Sequence, residues 1–409
     1  MTRSDLSIIS PVQPNPVPHL TLIAGEASGD ALGARLIAAL RARAPALRLS
    51  GVGGKLMEAQ GLRPWFPLAD LALMGLIEVL PRLPRLAARL NQASAAIAAD
   101  PPDAVITIDS PGFTFRLLRR IAPLGIPRIH YVAPQVWAWR PGRVRHYPGL
   151  WDQLLCLLPF EPAFFARHHL PARFTGHPVL ESGAGQGDAA GDAARFRARH
   201  ALPPAARPLL LLPGSRRTET ARLLPILAET LARLAPAHPD LLPVIPLAPP
   251  VAREVRAATA AWPTRPLLVT DPADKADAFA AAAAAISKSG TATLELALAG
   301  VPMLVAYRVN PLSAALARRL VTVSHASILN LLGPPCLPEF IQQRCTPDLL
   351  APALAGLLAD PGAAAAQRAG TAAALAQLRA PGGLAPSEAA AAAVLETMSR
   401  RASPVAGAG

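Results

Sequence analysis

The sequence predicts an α/β protein of two successive Rossmann-like domains finished by C-terminal helices. Three observations carry this reading. Short apolar runs repeatedly give way to loops of Gly, Ser and Pro and then to amphipathic segments, which is the strand–loop–helix unit of a doubly wound parallel sheet. A Gly/Ala/Asp-rich stretch over 182–194 separates two such series. The alanine-rich end, 354–398, is broken at Pro361, Pro381 and Pro386 and reads as terminal helices. The expected boundaries are a disordered leader at 1–18, an N-terminal domain at 19–180, a linker at 181–200, a C-terminal domain at 201–350, terminal helices at 351–399 and a loose tail at 400–409. At 409 residues the chain has room for two domains of ordinary size. Its residues are 52% hydrophobic but only 4% aromatic, so Ala, Leu and Val must fill the cores.

The first strand is expected at 19–25. It ends in Gly25-Glu26-Ala27-Ser28-Gly29-Asp30, and a helix follows with Leu32, Leu36, Ile37 and Leu40 on one face. This is no G-x-G-x-x-G loop, and Glu26 and Asp30 argue against a pyrophosphate. Carboxylates there suit sugar hydroxyls; Ser28 and Asp30 read equally well as helix caps. A second strand at 47–54 runs into Gly51-Val52-Gly53-Gly54. The segment 68–90 gathers Leu71, Leu73, Met74, Leu76, Ile77, Val79 and Leu80 ahead of Arg82 and Arg85. It fits a membrane-interface segment or a buried helix.

A strand at 103–108 delivers Asp109-Ser110-Pro111-Gly112 at its C-terminal end, where open α/β sheets bind ligands. Asp109 is a candidate general base, with helix capping as the alternative. The strand at 126–131 leads to Val132 through Arg140. Two of the five tryptophans, Trp137 and Trp139, lie here, followed by Arg140, Arg143 and Arg145. Indole faces suit sugars or acyl chains, and arginines suit phosphate. After a strand at 154–158, Gly176-His177-Pro178 closes the half. The His177 ring either reaches a ligand or makes a structural hydrogen bond.

The second half opens with a strand at 208–212 and Pro213-Gly214-Ser215-Arg216-Arg217, where Arg216 is placed to clamp a phosphate and Glu219 to cap the next helix. Strands follow at 241–247 and 266–270. An alanine run ending at Ile286 then enters the polar loop Ser287-Lys288-Ser289-Gly290, a helix over 291–299 and a strand over 301–307. Free N–H groups at such a helix start suit an anion, and Glu295 one turn in suits sugar hydroxyls. The alternative is an ordinary Ser/Thr N-cap.

The net charge of +13, carried mostly by arginine, points to an anionic partner: a phosphorylated substrate, an anionic membrane surface or nucleic acid. A composition biased to Ala, Arg and Pro explains much of that charge. The basic patches lack interleaved aromatics, which argues against nucleic acid. Cys156, Cys336 and Cys345 are too few and scattered for a disulfide framework or a zinc site, so a reducing compartment fits. Residues 1–18 have no signal-peptide core, and no run of about 18 apolar residues offers a transmembrane helix.

Two βα domains with ligand loops at their strand ends resemble a GT-B type glycosyltransferase, with a cleft between the domains. Six motifs in order, across residues 19–345, resemble the lipid-A-disaccharide synthase family: Ala24-Gly25-Glu26-Ala27-Ser28-Gly29-Asp30, Ile108-Asp109-Ser110-Pro111-Gly112-Phe113, Tyr131 through Trp139, Gly176-His177-Pro178, Leu212-Pro213-Gly214-Ser215-Arg216 and Ser287 through Glu295. The resemblance implies transfer from UDP-2,3-diacylglucosamine to 2,3-diacylglucosamine 1-phosphate. The products are a β-1,6-linked disaccharide 1-phosphate of lipid A biosynthesis and UDP, formed by single-step inversion with no cofactor and no metal.

The resemblance also implies roles. Asp109 is the catalytic base, Glu26 the second acidic candidate, and Arg216 the group that stabilises departing UDP. Gly214, Ser215, Arg216, Ser289, Gly290, Thr291, Thr293, Glu295, Asn330, Glu339 and Gln342 hold the nucleotide-sugar on the C-terminal domain. Gly25, Ser28, Met74, Trp137, Trp139, Arg140 and His177 serve the acceptor and membrane side. Leu329 stands where the family has proline, and Leu332-Gly333-Pro334-Pro335-Cys336 departs from the family pattern. Acylated substrates imply peripheral attachment to the cytoplasmic face of the inner membrane; a homodimer is allowed, not required. The alternatives are a UDP-N-acetylglucosamine 2-epimerase or another GT-B transferase, and a membrane-surface binding module without catalysis.

Overall fold

The structure, a computed structural model, describes residues 17–71, 83–182, 191–310 and 321–402. Residues 1–16 of the expected leader, 72–82 of the apolar basic segment and 183–190 of the expected linker lie outside them. The described residues form two compact units.

Unit 1 takes the residues up to Pro134, then Arg143–Gly176, then those from Ala380 onward. Its six strands are β1 (His19–Ala24), β2 (Arg48–Val52), β3 (Ala104–Ile108), β4 (Arg128–Tyr131), β5 (Gln153–Cys156) and β6 (Ala172–Phe174). They form one parallel sheet in the order β2-β1-β3-β4-β5-β6. Every residue of β1, β3 and β4 is buried. Helices cover both faces of such a sheet, so its strands read as continuous apolar runs rather than alternating ones. The helices are α1 (Ala27–Arg43), α2 (Lys55–Ala59), α3 (Leu83–Ala99), α4 (Pro111–Ile121) and α5 (Glu161–Ala166). Leu32, Leu36, Ile37 and Leu40 of α1 recur at helical spacing and join Leu22, Ile106 and Ile108 in one core cluster.

Unit 2 takes Gln135–Gly142 and His177–Arg379. Its strands are β7 (Arg207–Leu212), β8 (Leu241–Pro246), β9 (Leu267–Val269), β10 (Ala284–Lys288), β11 (Met303–Tyr307) and β12 (Glu339–Ile341). They form a second parallel sheet, ordered β12-β11-β10-β7-β8-β9. The helices are α6 (Ala193–Arg199), α7 (Arg217–Leu234), α8 (Ala252–Thr259), α9 (Pro272–Ala281), α10 (Thr291–Leu298), α11 (Ile328–Leu331), α12 (Pro347–Ala359) and α13 (Pro361–Ala376). Gly191, at φ 78°, closes the start of this unit: a Cβ there would lie 2.1 Å from the Ala276 carbonyl oxygen. Arg195 of α6 then pairs with the buried Asp277 of α9.

The last helix, α14 (Pro386–Ala402), returns to unit 1 and packs on α1, where Ala390, Ala391 and Val394 complete the core. Among the described residues no single helix is long and apolar enough to cross a membrane. The α12–α13 pair passes that test only together and bends by 97°, and Leu350 and Leu354 of α12 are buried in the unit 2 core.

Each sheet starts at an internal strand and adds strands on both sides of it. The strand order therefore reverses between β1 and β3 in unit 1, and between β7 and β10 in unit 2. Loops leaving neighbouring strands at such a point run to opposite faces and leave a crevice beyond the carboxyl ends.

Candidate functional site

The candidate catalytic carboxylates lie at the unit 1 reversal point. Glu26 follows β1 as the N-cap of α1 and is half-buried; its carbonyl accepts from the Asp30 N–H at 3.0 Å. Asp109 follows β3. Its N–H donates to the Tyr131 carbonyl at 2.9 Å, which continues the β3–β4 ladder one residue past the strand. Its Oδ1 accepts from the Ser110 N–H at 2.7 Å, and Oδ2 has no hydrogen-bond partner among the described residues. Asp109 and Ser110 are both left-handed, at φ 53° and 47°. Two successive non-glycine residues there store backbone strain, which the Thr114 hydroxyl helps hold by donating to both carbonyls at 2.8 and 3.0 Å.

Gly25 lets the tips of β1 and β3 approach closely. A Cβ on Gly25 would lie 2.1 Å from Ser110 Oγ. Ser28 is exposed on the first turn of α1. Asp30 faces neither a ligand nor its own helix start. It is buried, and it accepts the N–H groups of Gly54, Leu56 and Met57 at 2.8, 3.1 and 3.0 Å, so it caps α2 from the side of α1.

The reversal point of unit 2 gathers the expected phosphate loops. Gly214 has φ 107°, and a Cβ there would lie 2.4 Å from Glu219 Oε2. Glu219 closes a capping box on α7: its Oε2 accepts the Ser215 and Arg216 N–H groups at 3.2 and 3.3 Å. Its Oε1 lies 3.4 Å from Arg216 Nη1 and 3.1 Å from Lys288 Nζ. Burial opposes ionisation of Glu219, but the Lys288 ammonium and the Arg216 guanidinium outweigh it and hold the carboxyl below its ordinary value. The Arg216 side chain is otherwise in solvent, 66% exposed.

Across the crevice, Gly290 (φ 155°) caps α10 and Thr291 is exposed on its first turn. The Ser289 hydroxyl donates to the Ala326 carbonyl at 2.6 Å. Thr293 is buried, and its hydroxyl donates to the Gly290 carbonyl at 2.7 Å. Glu295 pairs with Lys275 of α9 at 2.6 Å.

Downstream, Asn330 and Glu339 bond mainly to the chain itself. Asn330 is buried and uses all four hydrogen-bonding positions of its amide on the chain itself. It donates to the Leu337 carbonyl and Glu339 Oε1, both at 2.8 Å, and accepts from the Cys336 and Leu337 N–H groups, both at 2.9 Å. Glu339 accepts the Ala326 and Ser327 N–H groups at 2.8 and 2.9 Å. Ser289, Ala326, Glu339 and Asn330 are thus one connected network. A direct nucleotide contact by Asn330 would require breaking it. Gln342, at φ 54°, accepts weakly from the Val309 N–H at 3.4 Å.

The residues expected on the acceptor side divide differently. Met74 lies outside the described residues. Trp137, Trp139, Arg140 and His177 belong to unit 2, not to the sheet that carries Asp109. Thr322 holds the tryptophan loop: its N–H donates to the Ala138 carbonyl at 3.0 Å and its hydroxyl to the Trp137 carbonyl at 2.7 Å. Trp139 bridges to Val321 and is 44% exposed, with the Arg140 guanidinium 5.6 Å from its ring. His177 Nδ1 accepts from the Val179 N–H at 3.1 Å, and burial pushes the imidazole down to about 4. Its ring is a neutral cap.

Lys275 and Lys288 were not singled out from the sequence. They are two of only three lysines in an arginine-rich chain, and that rarity was the available signal. Among the described residues no group of three His, Cys, Asp or Glu side chains is placed to hold a metal ion.

The family model described as lipid-A-disaccharide synthetase matches residues 20–393. A protein of Granulibacter bethesdensis named lipid-A-disaccharide synthase is 53% identical over 393 residues, 93% of this chain and 99% of the relative. Two solved structures share the GT-B fold. The glycotransferase of kitacinnamycin has a TM-score of 0.62 at 19% identity, covering 94% of this chain and all of the other. The UDP-GlcNAc 2-epimerase from Neisseria meningitidis, solved with UDP-GlcNAc, has a TM-score of 0.61 at 12% identity, covering 93% and 100%. At those identities the likeness is one of fold.

Proposed function

This chain belongs to the lipid-A-disaccharide synthase family, and we propose how its two units divide the reaction of that family. The reaction condenses UDP-2,3-diacylglucosamine with 2,3-diacylglucosamine 1-phosphate and releases UDP. One observation carries the assignment: the match runs through nearly the whole chain, at 53% identity to a named synthase.

In this reading unit 1 supplies the base. The acceptor 6-hydroxyl gives its proton to Asp109 as its oxygen attacks the anomeric carbon of the donor. The bond from that carbon to the UDP oxygen breaks on the opposite face, and the configuration inverts. The strained turn at Asp109–Ser110, with Oδ1 tied back to the Ser110 N–H, supports this role, because it presents Oδ2 at the strand tip. Glu26, on the neighbouring strand tip, is the second acidic group and is assigned to acceptor hydroxyls.

Unit 2 holds the donor. Arg216 and the N-termini of α7 and α10 meet the negative charge growing on the leaving UDP. Gly214, Ser215, Ser289, Gly290 and Thr291 form the phosphate loops, and Glu295 is assigned to the ribose. Thr293, Asn330 and Glu339 position those loops through their hydrogen bonds, and Gln342 is assigned to the nucleotide-sugar. Trp137, Trp139 and Arg140 are assigned to acylated substrate. Because both substrates are acylated, the enzyme is proposed to work at the phospholipid surface of the inner membrane, on its cytoplasmic face.

The test is direct. The chain is incubated with both acylated substrates, and disaccharide 1-phosphate and UDP are quantified together. The reading expects equal amounts of each. No disaccharide under conditions where the Granulibacter relative forms it would overturn it.

A further inference from the structure

The unit 2 crevice carries more positive charge than its own carboxylate balances. Among the described residues Glu219 is the one carboxylate paired with the two cations Arg216 and Lys288, at a point where the helices α7 and α10 both begin. Helix N-termini carry partial positive charge, so an unbalanced cation beside them is destabilised unless an anion joins it. Lys288 is the confined member. It ends β10, its side chain is only 19% exposed, and its Nζ lies 3.1 Å from Glu219 Oε1 and 5.4 Å from the centre of the Tyr307 ring. A Cβ on Gly290 would lie 3.6 Å from the same Nζ, so the ammonium stands beside the α10 start while bonded to the residue that caps α7.

Glu219 needs Lys288 less than Lys288 needs an anion. The carboxylate already accepts two backbone N–H groups and lies beside Arg216. An ammonium offers three donors on a flexible stem, and Glu219 engages one.

We propose that Lys288 is a ligand of the donor diphosphate, held by Glu219 while the crevice is empty and turning to a phosphate oxygen when the nucleotide binds. The proposal rests on the assignment of the donor to unit 2. In the bound state Lys288 and Arg216 match the two phosphate charges, and Glu219 keeps the two N–H groups of the α7 start.

The test compares the wild-type protein with Lys288→Met and Lys288→Arg. UDP binding is measured by calorimetry and uridine binding by ligand-observed NMR. Loss of a charged hydrogen bond predicts UDP affinity falling about tenfold to a hundredfold in Lys288→Met with uridine affinity unchanged. Lys288→Arg keeps the charge but not the compact shape of the ammonium, and is expected to bind UDP more tightly than Lys288→Met. Unchanged UDP affinity in Lys288→Met would overturn the proposal. So would equal losses for UDP and uridine, which would make Lys288 a scaffold residue, or a Lys288→Arg protein as weak as Lys288→Met. Failure of the wild-type protein to bind UDP at all would instead strike the donor assignment itself.

Discussion

Gly25 and Ser110 touch at the tips of neighbouring strands, and nothing larger than hydrogen fits between them: a Cβ on Gly25 would lie 2.1 Å from Ser110 Oγ. Ser110 is the second of two left-handed residues, and the first is Asp109. Gly25→Ala must therefore push on the turn that aims the proposed base. Displacement of a reacting group by about 1 Å costs on the order of a hundredfold in rate. Gly25→Ala is expected to lose turnover on that scale while binding UDP like the wild type. Steady-state kinetics beside UDP calorimetry checks it; equal losses in both would show a general failure to fold.

Arg216→Ala should lower kcat/KM by about 2–4 kcal/mol, the effect of removing one group that stabilises developing negative charge. The side chain is 66% exposed and the α7 cap rests on Glu219, so the melting temperature should scarcely move. Near-wild-type kinetics would remove Arg216 from the leaving-group site.

Asn330→Ala should act on stability first. It leaves the Cys336 and Leu337 N–H groups and the Leu337 carbonyl without their partner, and a buried unsatisfied group costs about 1–3 kcal/mol. The expected result is a lowered melting temperature, with uridine and UDP affinities reduced together. Loss of UDP affinity at an unchanged melting temperature would make Asn330 a direct ligand instead.

Much of this was legible in the sequence because parallel strands buried on both faces read as apolar runs. The loops after β1, β3, β7 and β10 are small-residue punctuation that the eye can find. Which tips are neighbours was not legible. Nothing local tells that β1 lies beside β3, or β7 beside β10, so the contacts of Gly25 with Ser110 and of Lys288 with Glu219 emerge only from sheet order. Asp30 illustrates the same limit: its position after the first glycine loop suggests a cap for α1, yet its partners are 24 to 27 residues away. The Trp137–Arg140 loop follows a unit 1 strand but is held by Thr322, a partner 185 residues on. The partners of Asn330 and Glu339 were equally hidden, because they lie in a loop network with Ser289 and Ala326 that no local spacing reveals. Their hydrogen bonds show a loop scaffold.

Two buried histidines set a pH dependence of stability. Burial holds His177 at about 4 and His130 at about 3, whereas both protonate near 6.5 in the unfolded chain. Between pH 6.5 and 4 the unfolded state binds protons that the folded state does not, so stability falls as pH falls through that window. For His177 the loss reaches about 3 kcal/mol by pH 4. His177→Gln keeps an acceptor for the Val179 N–H and removes the titration. Its destabilisation relative to wild type should shrink on going from pH 7 to pH 4.5 in thermal denaturation. A constant difference would mean that the imidazole is not held neutral.

The division of labour between the units is tested most directly by Asp109→Asn, assayed for disaccharide formation and for UDP binding in the same preparation. The amide keeps the shape of the turn and cannot take the acceptor proton. UDP affinity equal to wild type is expected, with turnover reduced by at least about a hundredfold. Wild-type turnover in Asp109→Asn would contradict it.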